Sequence, residues 1–537
     1  MIIRGGRWAR TKLTGVLAAV ALLSSCAGTS ATTGDGATSL DFAVSDLPVQ
    51  LDIAKNYAAG VLEIMPQVTE PLEILSVTGR LTPNLAESVA EPDHTTIVYT
   101  LRKAVKFANG EPLTAKDVVW SIEHTFGPRA QQEGAQTASS ITSLRSVTES
   151  GPDQVTVKLS HADPTARQNI ALLVFVQQAA AAQRAGANLG TPGAEPVGTG
   201  PFQVSEFTPE KIKLSRNPNY WGNAPALSEI AFTTIRDEST SQLALRSGDV
   251  QAAEVTNLKN VGQWQGIPGV TLYAIPSIES QYLSLDTASP PLSDIHVRKA
   301  IAYAIDRQGI SQAVYGSYGK LLAGVVPASI LAGVAGSAEL ANSFMKGLPQ
   351  NEFDLAKARS ELARSAYPSG FTLNVTFPGG AGSWQELTIL NLQQNMKKFG
   401  VTINPTPINQ NEWSTNFYGH RNLGLQTVQA GSAPPDPNGL LTLIIGKQQA
   451  VANGFNSANF STDVVEQALP VILTDTDKGR RWSAVQKVLG EIANQVPYIP
   501  LFTPDGVVVL GPGFKYDRTP EAMDWANGAW VNHIVPG

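Results

Sequence analysis

The stretch "FTLNVTFPGGAGSWQELTILNLQQNMKKFGVTINPTPI", Phe371 to Ile408, decides how the second half of this 537-residue chain is read. It reads as strand, helix, strand. Ser383 and Glu386 stand at capping-box spacing at the start of the helix. Lys397 and Lys398 complement the C-terminal end of its dipole, and Gly400 marks the stop. Two strands joined by a crossover helix predict a parallel α/β lobe here.

Outward from it, helices and strands alternate, and no repeat of fixed period interrupts them. "LDFAVSDLPVQLDI" opens with strand alternation, "TTIVYTLRKAVKF" reads as a strand, and Asn109-Gly110 supplies a turn. Thr114 and Asp117 open a helix over "TAKDVVWSIEHTF", with Val118, Ile122 and Phe126 on one face. "QVTVKLS" (Gln154 to Ser160) alternates as a strand, and Ala179 to Ala187 is alanine-rich and helical. Asp294 stands as an N-cap before the apolar stripe Val297, Ile301, Ala304 and Ile305. Hydrophobic residues make up 42% of the chain, beside 35 prolines and 47 glycines, which suits an α/β globule with many turns rather than disorder. Length predicts at least two domains.

The chain holds one cysteine, Cys26, so no disulfide framework is available. Ahead of it lie Arg4, Arg7, Arg10 and Lys12, then an apolar run from Leu13 to Leu23 that is too short for a membrane span. That order is expected of a secretory signal peptide over 1–25. Leu23-Ser24-Ser25-Cys26 resembles the bacterial lipobox, which makes Cys26 the expected lipidation site. "AGTSATTGDGATS" reads as a flexible tether over 26–38. Without the four basic leader residues the formal charge moves from −6 to about −10. Such acidity argues against nucleic acid or anionic lipid as a partner.

Local motifs for catalysis are missing. The six histidines, His94, His124, His161, His296, His420 and His533, include no HExxH and no pair at ligand spacing. No G-x-S-x-G elbow occurs. "GSYGK" at Gly316 to Lys320 lacks the loop length and Ser/Thr of a P-loop. Binding without cofactor, metal or catalytic residue is the expectation.

Three blocks carry a resemblance. They are Leu81 to Phe126, with Leu-Arg-x-x-Val-x-Phe; Val197 to Gln251, with Gly-Thr-Gly-Pro-Phe and Arg-Asn-Pro-x-Tyr-Trp; and Ser284 to Ile310, with Val-Arg-x-Ala-Ile-x-Tyr-Ala-Ile-Asp-Arg. In this combination and order the chain resembles the extracellular solute-binding proteins of family 5, which feed peptide and nickel ABC importers. The resemblance implies a periplasmic-binding-protein-like class II α/β fold: two lobes, an extra inserted subdomain, and a hinge between the lobes. Lobe I would comprise 39–67, 197–281 and 501–537, with the inserted subdomain at 68–196 and lobe II at 282–500. The motif residues have a structural reading, with Gly198, Gly200 and Pro201 shaping a reversal and Arg298, Asp306 and Arg307 available for ion pairs.

The same resemblance implies the ligand-facing residues. "NQNEWSTNFYGH" places Trp413 and Phe417 where an aromatic commonly lines the cleft. Trp384 either joins them or packs to cap its helix. Tyr282 and Phe502 lie on the crossing strands near the cleft floor. "VQAGSAPPDPNGLL" is similar to the loop in which peptide binders carry an amine-gripping aspartate, but here Ser432, Ala433, Pro434 and Pro435 precede the first acid, Asp436. The expected partners are an oligopeptide or other small solute, the permease subunits of an ABC importer, and the membrane through the Cys26 lipid. The protein is expected to act as a monomer on the outer face of the cell membrane. A non-peptide solute (an oligosaccharide, haem or a nickel complex), a receptor that signals through a membrane sensor, and an envelope hydrolase are the competing readings.

Overall fold

The strand–helix–strand unit at Phe371–Ile408 is present in the computed structural model of the chain, which describes residues 39–431 and 434–537. Cys26, the leader, the tether and Ser432 lie outside the described residues. Strands Thr372–Pro378 and Thr402–Ile408 run parallel, Thr372 opposite Thr402, across the helix Trp384–Lys397. Ser383 accepts the Glu386 amide at 3.3 Å, while the Glu386 carboxylate reaches back to the Gly382 amide at 2.6 Å rather than to Ser383.

The parallel pair does not extend into a larger sheet. The main sheet of this lobe has four strands in the order Gly319–Leu321, Tyr498–Pro504, Glu279–Leu285 and Leu425–Gly431, and every pairing in it is antiparallel. The reason is topological, since two of these strands come from the other lobe and run in opposite directions. That lobe is a seven-stranded mixed sheet ordered Thr271–Ile275, Gly506–Leu510, Ala252–Glu254, Ser39–Val44, Glu229–Thr234, Lys211–Arg216 and Phe202–Phe207. Only Ser39–Val44 has parallel partners in it, on both sides. A third unit, the antiparallel sheet of Ala86–Asp93, Thr96–Leu101, Gln154–Leu159 and Leu144–Gly151, packs its own core under the helix Ala115–Thr125. Thr114 and Asp117 form the expected capping box of that helix.

The lobes are joined by two short connections. Pro276, Ser277 and Ile278 separate Thr271–Ile275 from Glu279–Leu285, and Asp505 alone separates Tyr498–Pro504 from Gly506–Leu510. The strands on either side of these connections pair with each other in both sheets. The hinge is therefore a two-stranded antiparallel ribbon. The Asp505 carboxylate takes Lys320 Nζ at 2.8 Å, and its amide donates to the Tyr318 carbonyl at 2.9 Å.

The widely spaced motifs meet at one buried carboxyl, Glu70. It accepts hydrogen bonds from the Thr199 hydroxyl at 2.7 Å and the Trp221 indole at 2.8 Å. Asn217 donates to the Gly200 carbonyl at 2.8 Å, and Arg102 lies over the Trp221 ring at 4.9 Å. The Ala108 amide bonds the Gly198 carbonyl at 2.9 Å. A Cβ on Gly198 would overlap the Val68 carbonyl oxygen, so only glycine permits this approach. Among the described residues neither Arg298 nor Arg307 forms a salt bridge. Arg298 bonds the carbonyls of Leu292, Ser293 and Gln495, and Arg307 those of Leu322, Gln350 and Pro500. Arg298 ties its helix to the end of the helix Lys478–Gln495, and Arg307 ties its helix to the strand Tyr498–Pro504.

Burial pushes the Glu70 carboxyl up to about 7, against the pull of its donors. Between its ordinary value and 7 the folded chain holds a proton that the unfolded chain has released, so stability falls as pH rises through this window. The effect amounts to about 3 kcal/mol. Glu70→Gln is expected to flatten that part of the profile, measured as denaturant midpoints at pH 5 and pH 7.5; an unchanged slope would remove Glu70 as its source.

Candidate functional site: a polar cleft at the hinge

Where the crossing strands leave the second lobe, both lobes wall a cavity of about 550 Å³. The first lobe contributes the segment from Val255 to Lys259. The second contributes Gln281, Gln429, Tyr315 and the loop Gly380–Trp384. Strand register explains the polar floor, because Gln281 stands directly opposite Gln429 and Glu279 opposite Gly431. The Tyr315 hydroxyl donates to Gln281 at 2.6 Å, Gln281 to Gln429 at 2.9 Å, and Gln429 to the Glu279 carboxylate at 2.6 Å. This chain orients uncharged amides beside the opening, where they can hydrogen-bond a solute without charge complementarity. Lys259 Nζ reaches across to the Gly382 carbonyl at 3.3 Å, so the two lobes touch at this end.

A second opening, of about 700 Å³, lies between the inserted sheet and the second lobe, with Thr78, His94, Arg167, Asp436, Lys478 and Arg481 in its wall. Its charges are largely satisfied within the protein. Arg167 pairs with Glu73 and Glu91, and Arg481 pairs with Asp436.

The expected ligand-facing residues fall in different places. Trp384 is in the wall of the hinge cleft while being 7% exposed and packed in the core of its lobe. Trp413 and Phe417 stack at 4.8 Å inside the second lobe, and the Trp413 indole donates to Gln426 at 2.9 Å. Tyr282 packs edge-on against Tyr498 at 5.5 Å, and Phe502 against Tyr315 at 5.9 Å; both are buried. Phe502 thus supports a cleft residue from behind. Asp436 caps the short helix Pro437–Leu440 and is gripped by Arg481, with one contact at 3.1 Å. Its charge is already balanced by the fold.

Gln281, Gln429, Tyr315 and Thr256 were not singled out by the sequence. The period-two alternation of a strand marks which residues share a face, but not which end of that face opens onto a cleft. The signal was weak.

Among the described residues no helix is long and apolar enough to cross a membrane. No group of three or more His, Asp or Glu side chains among them is placed to hold a metal ion.

Two lobes on a ribbon hinge, enclosing a polar cleft, define a solute-binding protein. Residues 80–451 match the model of bacterial extracellular solute-binding proteins, family 5 (middle region), and the chain belongs to that family. The glutathione-binding protein GsiB of Salmonella paratyphi A is 24% identical over 416 residues, covering 76% of this chain and 78% of that one. Among solved structures, the ABC transporter substrate-binding protein CtaP of Listeria monocytogenes superposes with a TM-score of 0.80 at 20% identity, covering 93% of this chain and 99% of its own. The periplasmic binding protein DppA of Helicobacter pylori, in complex with the peptide STSA, gives 0.74 at 21% identity, covering 93% and 98%. These structural likenesses establish the shared fold.

Trp413→Ala is expected to cost about 3–5 kcal/mol of folding stability, because it empties a stacked core position and strands Gln426. Thermal melting measures it. A change within about 0.5 kcal/mol, the range of ordinary surface substitutions, would contradict this core placement.

Proposed function

We propose that this chain captures oligopeptides in the hinge cleft and delivers them to the permease of an ABC importer, held at the outer face of the cell membrane by lipid on Cys26. The observation that carries the peptide reading is the edge strand Leu425–Gly431. Among the described residues its only hydrogen-bonded sheet partner is Glu279–Leu285, and its exposed end, Gln429 to Gly431, brings Gln429 into the cleft wall. An extended peptide can pair with such an edge through main-chain groups, while neutral amides accept varied side chains. Relatives named for binding glutathione and a peptide agree with this class.

In this reading 68–196 is the inserted subdomain of lobe I, and the boundaries expected at 281/282 and 500/501 move to the ribbon, since Glu279–Leu285 and Tyr498–Pro504 are strands of the second lobe's sheet. The ribbon at 276–278 and 505 bends, and contacts such as Lys259 to Gly382 form on closure. A ligand that binds the closed state better shifts the population toward it, and the closed monomer docks on the permease. One observation favours a non-peptide solute on the same scaffold: Asp436, the first acid after Gly431, is engaged by Arg481.

Native mass spectrometry of the protein purified from its own cell envelope tests the ligand class. A family of peptide masses released on unfolding is expected, and a single non-peptide mass would overturn the peptide reading. Cys26→Ser is expected to move the protein from the membrane fraction to the wash and to abolish labelling by a fatty-acid probe. Retained labelling would exclude Cys26 as the anchor.

A further inference from the structure

The inserted subdomain meets the second lobe along the opening of about 700 Å³, which among the described residues shares no wall residue with the hinge cleft. One contact there turns on a single glycine. The second-lobe helix Ala328–Ala335 carries Gly333 three residues before Gly336, the left-handed glycine that ends it. Gly333 is therefore not the cap, and inside a helix glycine costs stability that alanine would return. The place of its missing side chain is taken by the inserted subdomain: a Cβ on Gly333 would stand 2.6 Å from the Thr78 carbonyl oxygen. The obstacle is backbone, so no flexible side chain is there to yield.

Thr78 sits on a braced turn. Strands Glu73–Leu75 and Leu81–Pro83 pair antiparallel, and turn 76–80 joins them. Within it the Ser76 amide donates to the Arg80 carbonyl and the Gly79 amide to the Ser76 carbonyl, both at 2.9 Å. The helix Ala166–Leu173 holds the turn from behind, with Arg167 paired to Glu73 at 2.6 Å and Gln168 Nε2 donating to the Gly79 carbonyl at 3.3 Å. A second contact between the same units runs from Asn438 Nδ2 to the Thr165 hydroxyl at 3.3 Å. The Glu70 network fixes the inserted subdomain to the first lobe, so bending of the ribbon moves this turn against Gly333.

We propose that turn 76–80 is a closure stop, which seats on the bare backbone of Gly333 and sets the lobe angle at which solute is held. The assignment rests on the reading that the lobes bend about the ribbon. It adds a second determinant of closure, away from the cleft walls. A methyl group at position 333 holds the lobes apart without touching the cleft, and the solute is left with the open state, which binds it less well.

The test places Thr165→Cys and Asn438→Cys in the full-length chain with Cys26→Ser and oxidises it with copper phenanthroline. A disulfide then records each meeting of the two units, with no solute needed. The crosslink is expected to form in this parent, and Gly333→Ala is expected to slow it about tenfold, as overpacking of a close contact does. Gly490→Ala is the control, because Gly490 lies inside the helix Lys478–Gln495 of the same lobe with open space where a Cβ would stand. It should crosslink at the parent rate. In the wild-type background Gly333→Ala should melt at the wild-type temperature or above, since the helix gains an alanine and the open form relieves the overlap. No crosslink in the parent, or equal slowing by Gly490→Ala, would overturn the stop. An undiminished crosslink in Gly333→Ala would overturn it as well, and the melting curve then separates two causes. Unchanged melting would mean that the lobes bend without this stop, and lowered melting that the contact is permanent packing and the lobes do not bend. A library of tri- to pentapeptides read by native mass spectrometry judges the solute separately. Weaker retention by Gly333→Ala than by the wild type is expected, and equal retention would overturn the stop. Retention by neither would end the peptide reading, while the crosslinking rates still decide the stop.

Discussion

The hydrogen bond between the Trp221 indole and the buried carboxyl of Glu70 is the constraint on which the first lobe and its insertion depend. Around it four segments distant in sequence converge: the end of the helix Ala59–Val68, the Leu101–Phe107 strand exit, the Gly198–Pro201 reversal and the Asn217–Trp221 turn. Each supplies a polar group that would be orphaned without the others, and a buried orphan costs more than a formed bond returns. The glycines of the reversal are needed because its backbone lies against the helix end, where no Cβ fits. These motifs contact one another.

From that rigid body the chain leaves twice for the second lobe, through connections of three residues and one. Pairing the crossing strands makes the hinge a ribbon, which can bend across its plane while its register resists sliding. The same register sets Gln281 opposite Gln429 and so builds the cleft floor. Hinge and cleft floor are therefore consecutive residues of the same strands, a direct physical route by which lobe angle and cleft shape are coupled.

Much of the scaffold was legible in the residues. The caps at Ser383, Thr114 and Asp294 all close helix starts, because capping is a local interaction between residues two or three apart. The parallel unit at Phe371–Ile408 was legible for the same reason. Its extension into a parallel lobe was not, since strand direction depends on where the neighbouring strands enter. The aromatic residues show the limit most clearly. Trp413, Phe417 and Trp384 carry the same kind of signal in sequence and all three are buried, yet only Trp384 also borders the hinge cleft.

The sequence by itself determined the family, through motifs whose order and spacing no other constraint explains, and it determined most helix starts. Tertiary structure alone decided which carboxyls are balanced. Asp436 reads as a free acid in a loop and is paired with an arginine 45 residues away. Glu63 and Glu254 read as ordinary residues of a helix and a strand and interact with each other, with no Lys, Arg or His pairing with either among the described residues. Charge balance is a property of through-space distance in a low-dielectric interior, and sequence separation carries no record of it.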